Sequence, residues 1–379
     1  MGIELLFLLL PVAAFSGWLL GRSDKRRKRT GTQLNPRYYQ GLNYLLDEQP
    51  DEALDVFIGL SELDSDSVEI QFALAALFLR RGEVERAIRI HQNLIARPTL
   101  SAEHKRQALF ALAKDYMGAG LLDRAENLFL DLSNDPVHGA ASRQQLLEIF
   151  QREKEWRKAI GVAEQLRGNE REQYRPVLAH YYCELAELDL KKGDWAQMQQ
   201  HLRQAIDSDR NSVRASLLEA RRAIERAEWR QAIQAASRVE SQDPDYLPLV
   251  LEPLHQAYVQ LERGEEFVRY LEQLAARFSQ QPIGDYLVTL YMQRGAREQA
   301  QRLLEDRLAQ QASLNGLARL IGLLRDRQGG EQPWQQLHEV SQRLIEHKPS
   351  YQCRDCGYQG RTMLWQCPSC KHWNSIKPV

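Results

Sequence analysis

The sequence predicts an all-α chain in which repeated helix pairs stack as a solenoid, preceded by one apolar helix and followed by a small metal-folded module. Three observations predict it. A small or apolar residue recurs at Ala53, Ala87, Ala125, Ala159, Met198, Ala232, a degenerate position near Arg269, and Ala300, at intervals of 34, 38, 34, 39, 34, 37 and 31 residues. The composition, with 14 Pro and 22 Gly in 379 residues and abundant Ala, Leu, Gln, Glu and Arg, lacks the alternating Val, Ile and Thr runs of a sheet. Two Cys-x-x-Cys pairs close the chain. A single compact core is hard to extend over this length, whereas in a solenoid each repeat packs only on its neighbours.

Residues 1–21 read as a transmembrane helix. Gly2 to Gly21 carry a single charge, Glu4, near the free end where it can reach the interface, and about twenty apolar residues span a bilayer. Residues 22–36 form a basic juxtamembrane linker: Arg22, Lys25, Arg26, Arg27, Lys28 and Arg29 stand against Asp24 alone. Basic flanks stay on the cytoplasmic side, which places the short N-terminus outside and the bulk of the chain inside. A cleaved signal peptide is the alternative, but its charges belong before the apolar run. The basic cluster suits topology and anionic lipid better than nucleic acid.

Residues 37–346 form the array. Its clearest unit is Leu109 to Pro136, in which Ala113, Tyr116, Gly120, Ala125, Phe129 and Pro136 mark helix, turn, close helix contact, core and stop. This is the tetratricopeptide pattern of about 34 residues. Gly41, Tyr44 and Phe57 repeat it in the first unit, Phe78, Gly82 and Leu94 in the second, Phe150 and Leu166 in the fourth. Gly193, Leu202 and Ala205 mark the fifth; Ala220, Ala236, Val239 and Pro244 the sixth. Later units keep Gly264 and Gly295 as helix breakers, with Tyr258, Tyr291 and Leu304 as fillers. A generic helical bundle is the bland alternative. A ninth, irregular pair follows Ala312, broken at Gln328, Gly329 and Gly330, and Trp334 to Glu346 is read as a capping helix.

Residues 347–379 are the metal-binding tail. Cys353, Cys356, Cys367 and Cys370 stand in two Cys-x-x-Cys hairpins, an arrangement that lets four thiolates close on one tetrahedral ion. Gly357 suits the turn after the second thiolate, and Tyr358, Trp365 and Trp373 offer aromatic cover. So small a module lacks a sufficient core of its own, and metal binding would stabilise its fold. Two disulfides are the alternative, disfavoured in a reducing cytoplasm. Zinc is favoured and iron is the runner-up; with four sulfur ligands the zinc is structural.

The rest of the chain offers no catalytic motif: no phosphate-cradling loop, no His-Glu-x-x-His, no Gly-x-Ser-x-Gly. The expectation is that the protein is not an enzyme. Cys183 reads as a buried apolar thiol, His372 as a surface residue, and Glu184 with Glu187 as part of a solvated helix face. The first helix of each unit lines a groove, where Lys114, Gln144, Glu148, His180, Glu187, Arg214 and Arg221 are candidate partner contacts. In the tail, Arg354, Arg361 and Lys371, beside Asp355, are too few for a nucleic-acid stripe. Self-association stays open.

In this order, one span with a basic stop, a tetratricopeptide array and paired Cys-x-x-Cys hairpins with a Cys-Gly-Tyr turn, the chain resembles the lipopolysaccharide assembly protein B family of the bacterial inner membrane over nearly its full length. The resemblance implies a rubredoxin-like metal tail whose ligands are Cys353, Cys356, Cys367 and Cys370, although Lys371 stands where a rubredoxin has glycine. It also implies an adaptor that regulates lipid A synthesis. Such an adaptor links the lipid A pathway deacetylase to a membrane AAA protease that degrades it, alongside other lipopolysaccharide assembly proteins. An iron electron carrier and a general membrane-tethered scaffold are the alternatives.

Overall fold

The computed structural model describes residues 36–47, 49–63, 67–278, 281–310, 313–327, 332–346 and 348–379. The apolar span at 1–21 and the basic segment after it lie outside the described residues, as do Gln328 to Gly330. Among the described residues, no helix is long and apolar enough to cross a membrane.

The chain divides into two compact units, residues 1–149 and 150–379. The first holds the pairs α1 (Pro36–Leu46) with α2 (Pro50–Leu63), α3 (Val68–Arg80) with α4 (Val84–Ile95), and α5 (Ala102–Gly118) with α6 (Leu122–Leu132). The boundary falls inside α7 (Gly139–Glu153). The second unit continues with α8 (Trp156–Ala163), α9 (Gly168–Lys192), α10 (Trp195–Ser208), α11 (Val213–Glu225) and α12 (Trp229–Ser237). A short α13 (Val239–Gln242) and a 3-10 segment, Pro244–Leu249, interrupt the alternation. The pairs then resume as α14 (Leu251–Gln260) with α15 (Gly264–Arg277), α16 (Ile283–Gln293) with α17 (Arg297–Gln310), and α18 (Leu314–Arg327) with α19 (Gln332–Glu346).

The repeat is carried by one position. The fourth residue of α2, α4, α6, α8, α10, α12, α15 and α17 is Ala53, Ala87, Ala125, Ala159, Met198, Ala232, Phe267 and Ala300, each essentially without exposed surface. Seven of these are the expected anchors. The eighth is a correction: Arg269 is exposed and Phe267 fills the site, its ring 5.3 Å from both His255 and Tyr258. An aromatic residue takes the place of the small one, so the size pattern breaks while the packing position persists. In the first pair the close approach falls on Gly41, where an added Cβ would lie 2.6 Å from the Phe57 ring.

The turns within pairs are equally regular. Gly82, Gly120, Lys154, Gly193, Ala227, Glu262 and Gly295 all have positive φ, and each lies two residues before a second helix. The following N–H closes back on the carbonyl five residues earlier, from Glu83 to Phe78 through Ala296 to Tyr291, at 2.7–3.0 Å, which satisfies carbonyls the helix leaves open. Gly264 is therefore not a breaker; it is the first residue of α15, and Glu262 makes the turn.

The expected cap α19 does not present a polar outer face: Leu337, Val340 and Leu344 are about half exposed. Beyond it, β1 (Tyr351–Cys353) is the centre of a three-stranded antiparallel sheet, flanked by β2 (Gln359–Gly360) and β3 (Ile376–Pro378).

Candidate metal centre

The four tail cysteines converge. Their sulfur atoms all lie within 4.8 Å of one another, with Cys353 to Cys370 at 3.7 Å and Cys356 to Cys367 at 3.6 Å. Zinc–sulfur bonds of about 2.3 Å set a tetrahedral edge of about 3.8 Å, and a disulfide would need about 2.05 Å. The spacing fits an ion and leaves the thiols unbridged, and all four cysteines are free. They form a tetrahedral metal site.

Two matching knuckles build it. In the first, Gly357 N–H donates to the Cys353 carbonyl and Cys353 N–H to that of Tyr358; in the second, Lys371 N–H donates to Cys367 and Cys367 N–H to His372, all at 2.7–3.1 Å. Gly357 (φ 76°) and Lys371 (φ 63°) both take the left-handed conformation. Lys371 thus performs the turn that glycine performs in its twin. His372 Nδ1, 2.8 Å from Asp355 Oδ2, ties the knuckles together at the surface. The Ser375 hydroxyl and the Cys356 and Asp355 N–H groups pull the Cys353 thiol down to about 6. The Tyr358 N–H lowers that of Cys356. Donors aimed at sulfur favour the thiolate, the form that binds metal.

Within the second unit, the module is seated on the repeats through an aromatic seam. Trp373 stacks on His180 with ring centroids 4.6 Å apart, and its indole N–H donates to Gln151 at 2.8 Å. Trp365 packs against Tyr246 at 5.4 Å, and the Tyr246 hydroxyl donates to the Asn374 carbonyl at 3.0 Å. Lys377 pairs with Asp243, its ammonium 3.9 Å above the Tyr246 ring, and Arg354 lies 3.6 Å from Asp245. Burial, with the nearby Arg214 charge, pushes His180 down to about 3.

The expected partner contacts separate accordingly. Lys114 and Gln144 are exposed and Glu148 is half-buried, all in the first unit. Among those of the second unit, His180 is buried beneath Trp373, which corrects its reading as an open groove contact. Arg214 is likewise 3% exposed, held by Glu184 at 2.9 Å and Glu187 at 2.8 Å. Glu184 and Glu187 are therefore its counter-ions and not an idle solvated pair. Arg221 is exposed and bonded to Glu225 at 3.0 Å. Burial raises the Cys183 thiol to about 12, in keeping with an inert core residue. The seam's partners, Gln151, Asp243 and Tyr246, carried no sequence signal. Two of the chain's seven tryptophans in so short a tail were the one hint that it covers something.

Residues 351–378 match the rubredoxin metal binding domain family, and residues 72–103 match the tetratricopeptide repeat family. Over its whole length the chain is similar to lipopolysaccharide assembly protein B of Escherichia coli (strain K12). The two are 35% identical over 382 aligned positions, covering 100% of this chain and 98% of the relative. Its counterpart in Haemophilus influenzae is 35% identical over 390 positions, with the same shares covered. Among solved structures, the C-terminal part of a tetratricopeptide-repeat protein from Cytophaga hutchinsonii aligns with a TM-score of 0.40 at 14% identity, over 74% of this chain and 99% of that one.

Proposed function

The chain belongs to the lipopolysaccharide assembly protein B family, and on that footing we propose that it serves lipopolysaccharide assembly as a non-catalytic adaptor, held at the bacterial inner membrane with its repeats in the cytoplasm. The observation that carries this reading is the extent of the relationship, which includes the apolar segment, the array and the metal module in one alignment. In finer terms, the adaptor brings the lipid A pathway deacetylase to a membrane AAA protease and so sets the deacetylase level.

The metal site supports a scaffolding role. Zinc, when bound by Cys353, Cys356, Cys367 and Cys370, supplies folding energy to the module, and four thiolates leave it no open position for substrate. The protein's own residues do the rest: the knuckle N–H groups hold the thiolates, and Trp365 and Trp373 fix the module against the repeats. Tethering confines adaptor, protease and substrate to one surface and raises their effective concentration without any added contact.

The test is the cellular half-life of the deacetylase. Deleting the protein should lengthen it, and a chain lacking residues 1–29 should restore rapid turnover only in part. A half-life that stays short after complete deletion would refute the adaptor reading.

A further inference from the structure

A cleft of about 490 Å³ opens where the metal module meets α11 and α14, within the range of about 300–1,000 Å³ usual for ligand sites. Its apolar wall is shared: Leu217, Leu218, Leu249 and Pro253 come from the repeats, Met363 and Trp365 from the module. Arg214, Leu218, Arg221 and Glu225 line it along α11. At 1.5 Å per residue they extend over about 16 Å. An elongated trough of this kind suits a stretch of polypeptide better than a compact metabolite.

The charges around it are unequal. Arg214 stands between two carboxylates, Glu184 and Glu187, so one negative charge is left over. Arg221 and Glu225 cancel. Glu252, whose carboxylate accepts from the Tyr286 hydroxyl at 2.7 Å, adds another negative charge. Three carboxylates, Glu187, Glu225 and Glu252, line the cleft with two guanidinium groups, Arg214 and Arg221, so it has an apolar floor and a rim with one negative charge in excess.

We propose that this cleft is the docking site for a partner peptide that inserts apolar side chains between Leu217 and Met363 and sets Lys or Arg against Glu187 and Glu252. The proposal rests on the adaptor reading and names the chemistry that its recognition surface selects. An acidic peptide or a lipid phosphate would meet like charge at the rim. Because Met363 and Trp365 belong to the module, the site is complete only while the module is folded. Metal binding and peptide recognition are thereby linked through shared residues.

The experiment is selection of a random dodecapeptide display library on the full-length, zinc-loaded protein in detergent. The enriched peptides should combine apolar residues with Lys or Arg. Their binding should fall by about tenfold or more in Leu217→Asp and in Met363→Asp, and by about tenfold in the exposed-rim variant Glu225→Lys. Zinc content and helix content should be unchanged in Glu225→Lys, which separates recognition from folding. Enrichment of acidic peptides, no enrichment, or displacement of the selected peptide by dodecyl phosphate and not by dodecylamine would overturn the proposal. Its failure is distinct from failure of the adaptor reading, which depends on deacetylase half-life in the deletion strain and not on this cleft.

Discussion

Trp373 lies nearly parallel to His180, their ring planes 20° apart and their centroids 4.6 Å apart, although 193 positions separate them in the chain. This stack is the centre of the seam that seats the metal module. Trp373→Ala should weaken the attachment by on the order of 2 kcal/mol, through lost apolar contact and ring stacking. Hydrogen exchange should then quicken in β1 and β3 while zinc stays bound. Unchanged exchange would show that the stack contributes nothing to docking.

The same pair makes the attachment sensitive to acid. Docked, His180 stays neutral down to about pH 3; released, it takes up a proton near its ordinary 6.5. Below 6.5 the released state binds more protons, so the stabilisation is fully present above that pH. It falls by about 1.4 kcal/mol per pH unit toward 3. Tryptophan fluorescence between pH 7.5 and 5.5 should report the loosening, with a shallower slope in His180→Gln. Equal slopes in the two proteins would count against His180 as the source.

Purified protein should carry one zinc per chain, and Cys353→Ser with Cys356→Ser should remove it and unfold the module. Far-ultraviolet circular dichroism should retain most of the helical signal, because the repeats have their own cores. Iron in place of zinc, with a coloured protein, would favour the electron-carrier alternative.

The three non-glycine turns offer a test of the repeat geometry. Ala227, Lys154 and Glu262 hold positive φ at the position where Gly82, Gly120, Gly193 and Gly295 stand elsewhere. Replacing each of the three by glycine should raise stability by up to about 1 kcal/mol, the left-handed penalty being larger than the added chain entropy. Gly120→Ala should lower it by a similar amount. Denaturant titration of each variant measures both directions.

Burial separates two arginines that look alike in sequence. Arg214→Ala leaves Glu184 and Glu187, both partly exposed, without their cation and should cost about 1–3 kcal/mol. Arg221→Glu, at an exposed position, should stay within about 0.5 kcal/mol. Thermal melts of the two variants distinguish these outcomes, and only the second is a clean probe of partner binding.

Much of this architecture was legible because it is local. A small residue at the fourth position of a helix, a left-handed turn two residues before it, and paired Cys-x-x-Cys hairpins are all short-range patterns. Legibility failed at α15, where Phe267 replaces the small residue and Glu262 replaces the glycine, so both local cues vanish together while the fold persists. The metal ligands were legible for the same reason that the seam was not. Cys353 and Cys356 are three residues apart, but Gln151 and Trp373 are 222 apart, and periodicity carries no information about which distant faces meet.

The contacts of Trp373 with Gln151 and of Asn374 with Tyr246 join the end of the chain to helices far upstream, so the second unit is a closed circuit and not an open row. A row of repeats can fray from its tip one pair at a time. Here α14 to α19 lie between two points that are fastened together, and loosening them stretches a loop whose ends are already fixed. The fastening must also form late, since its partners are separated by most of the unit. A pull on Val379 would load β3, its pairing with β1 and, through Lys377, the ion pair with Asp243 that holds the strand to the repeats.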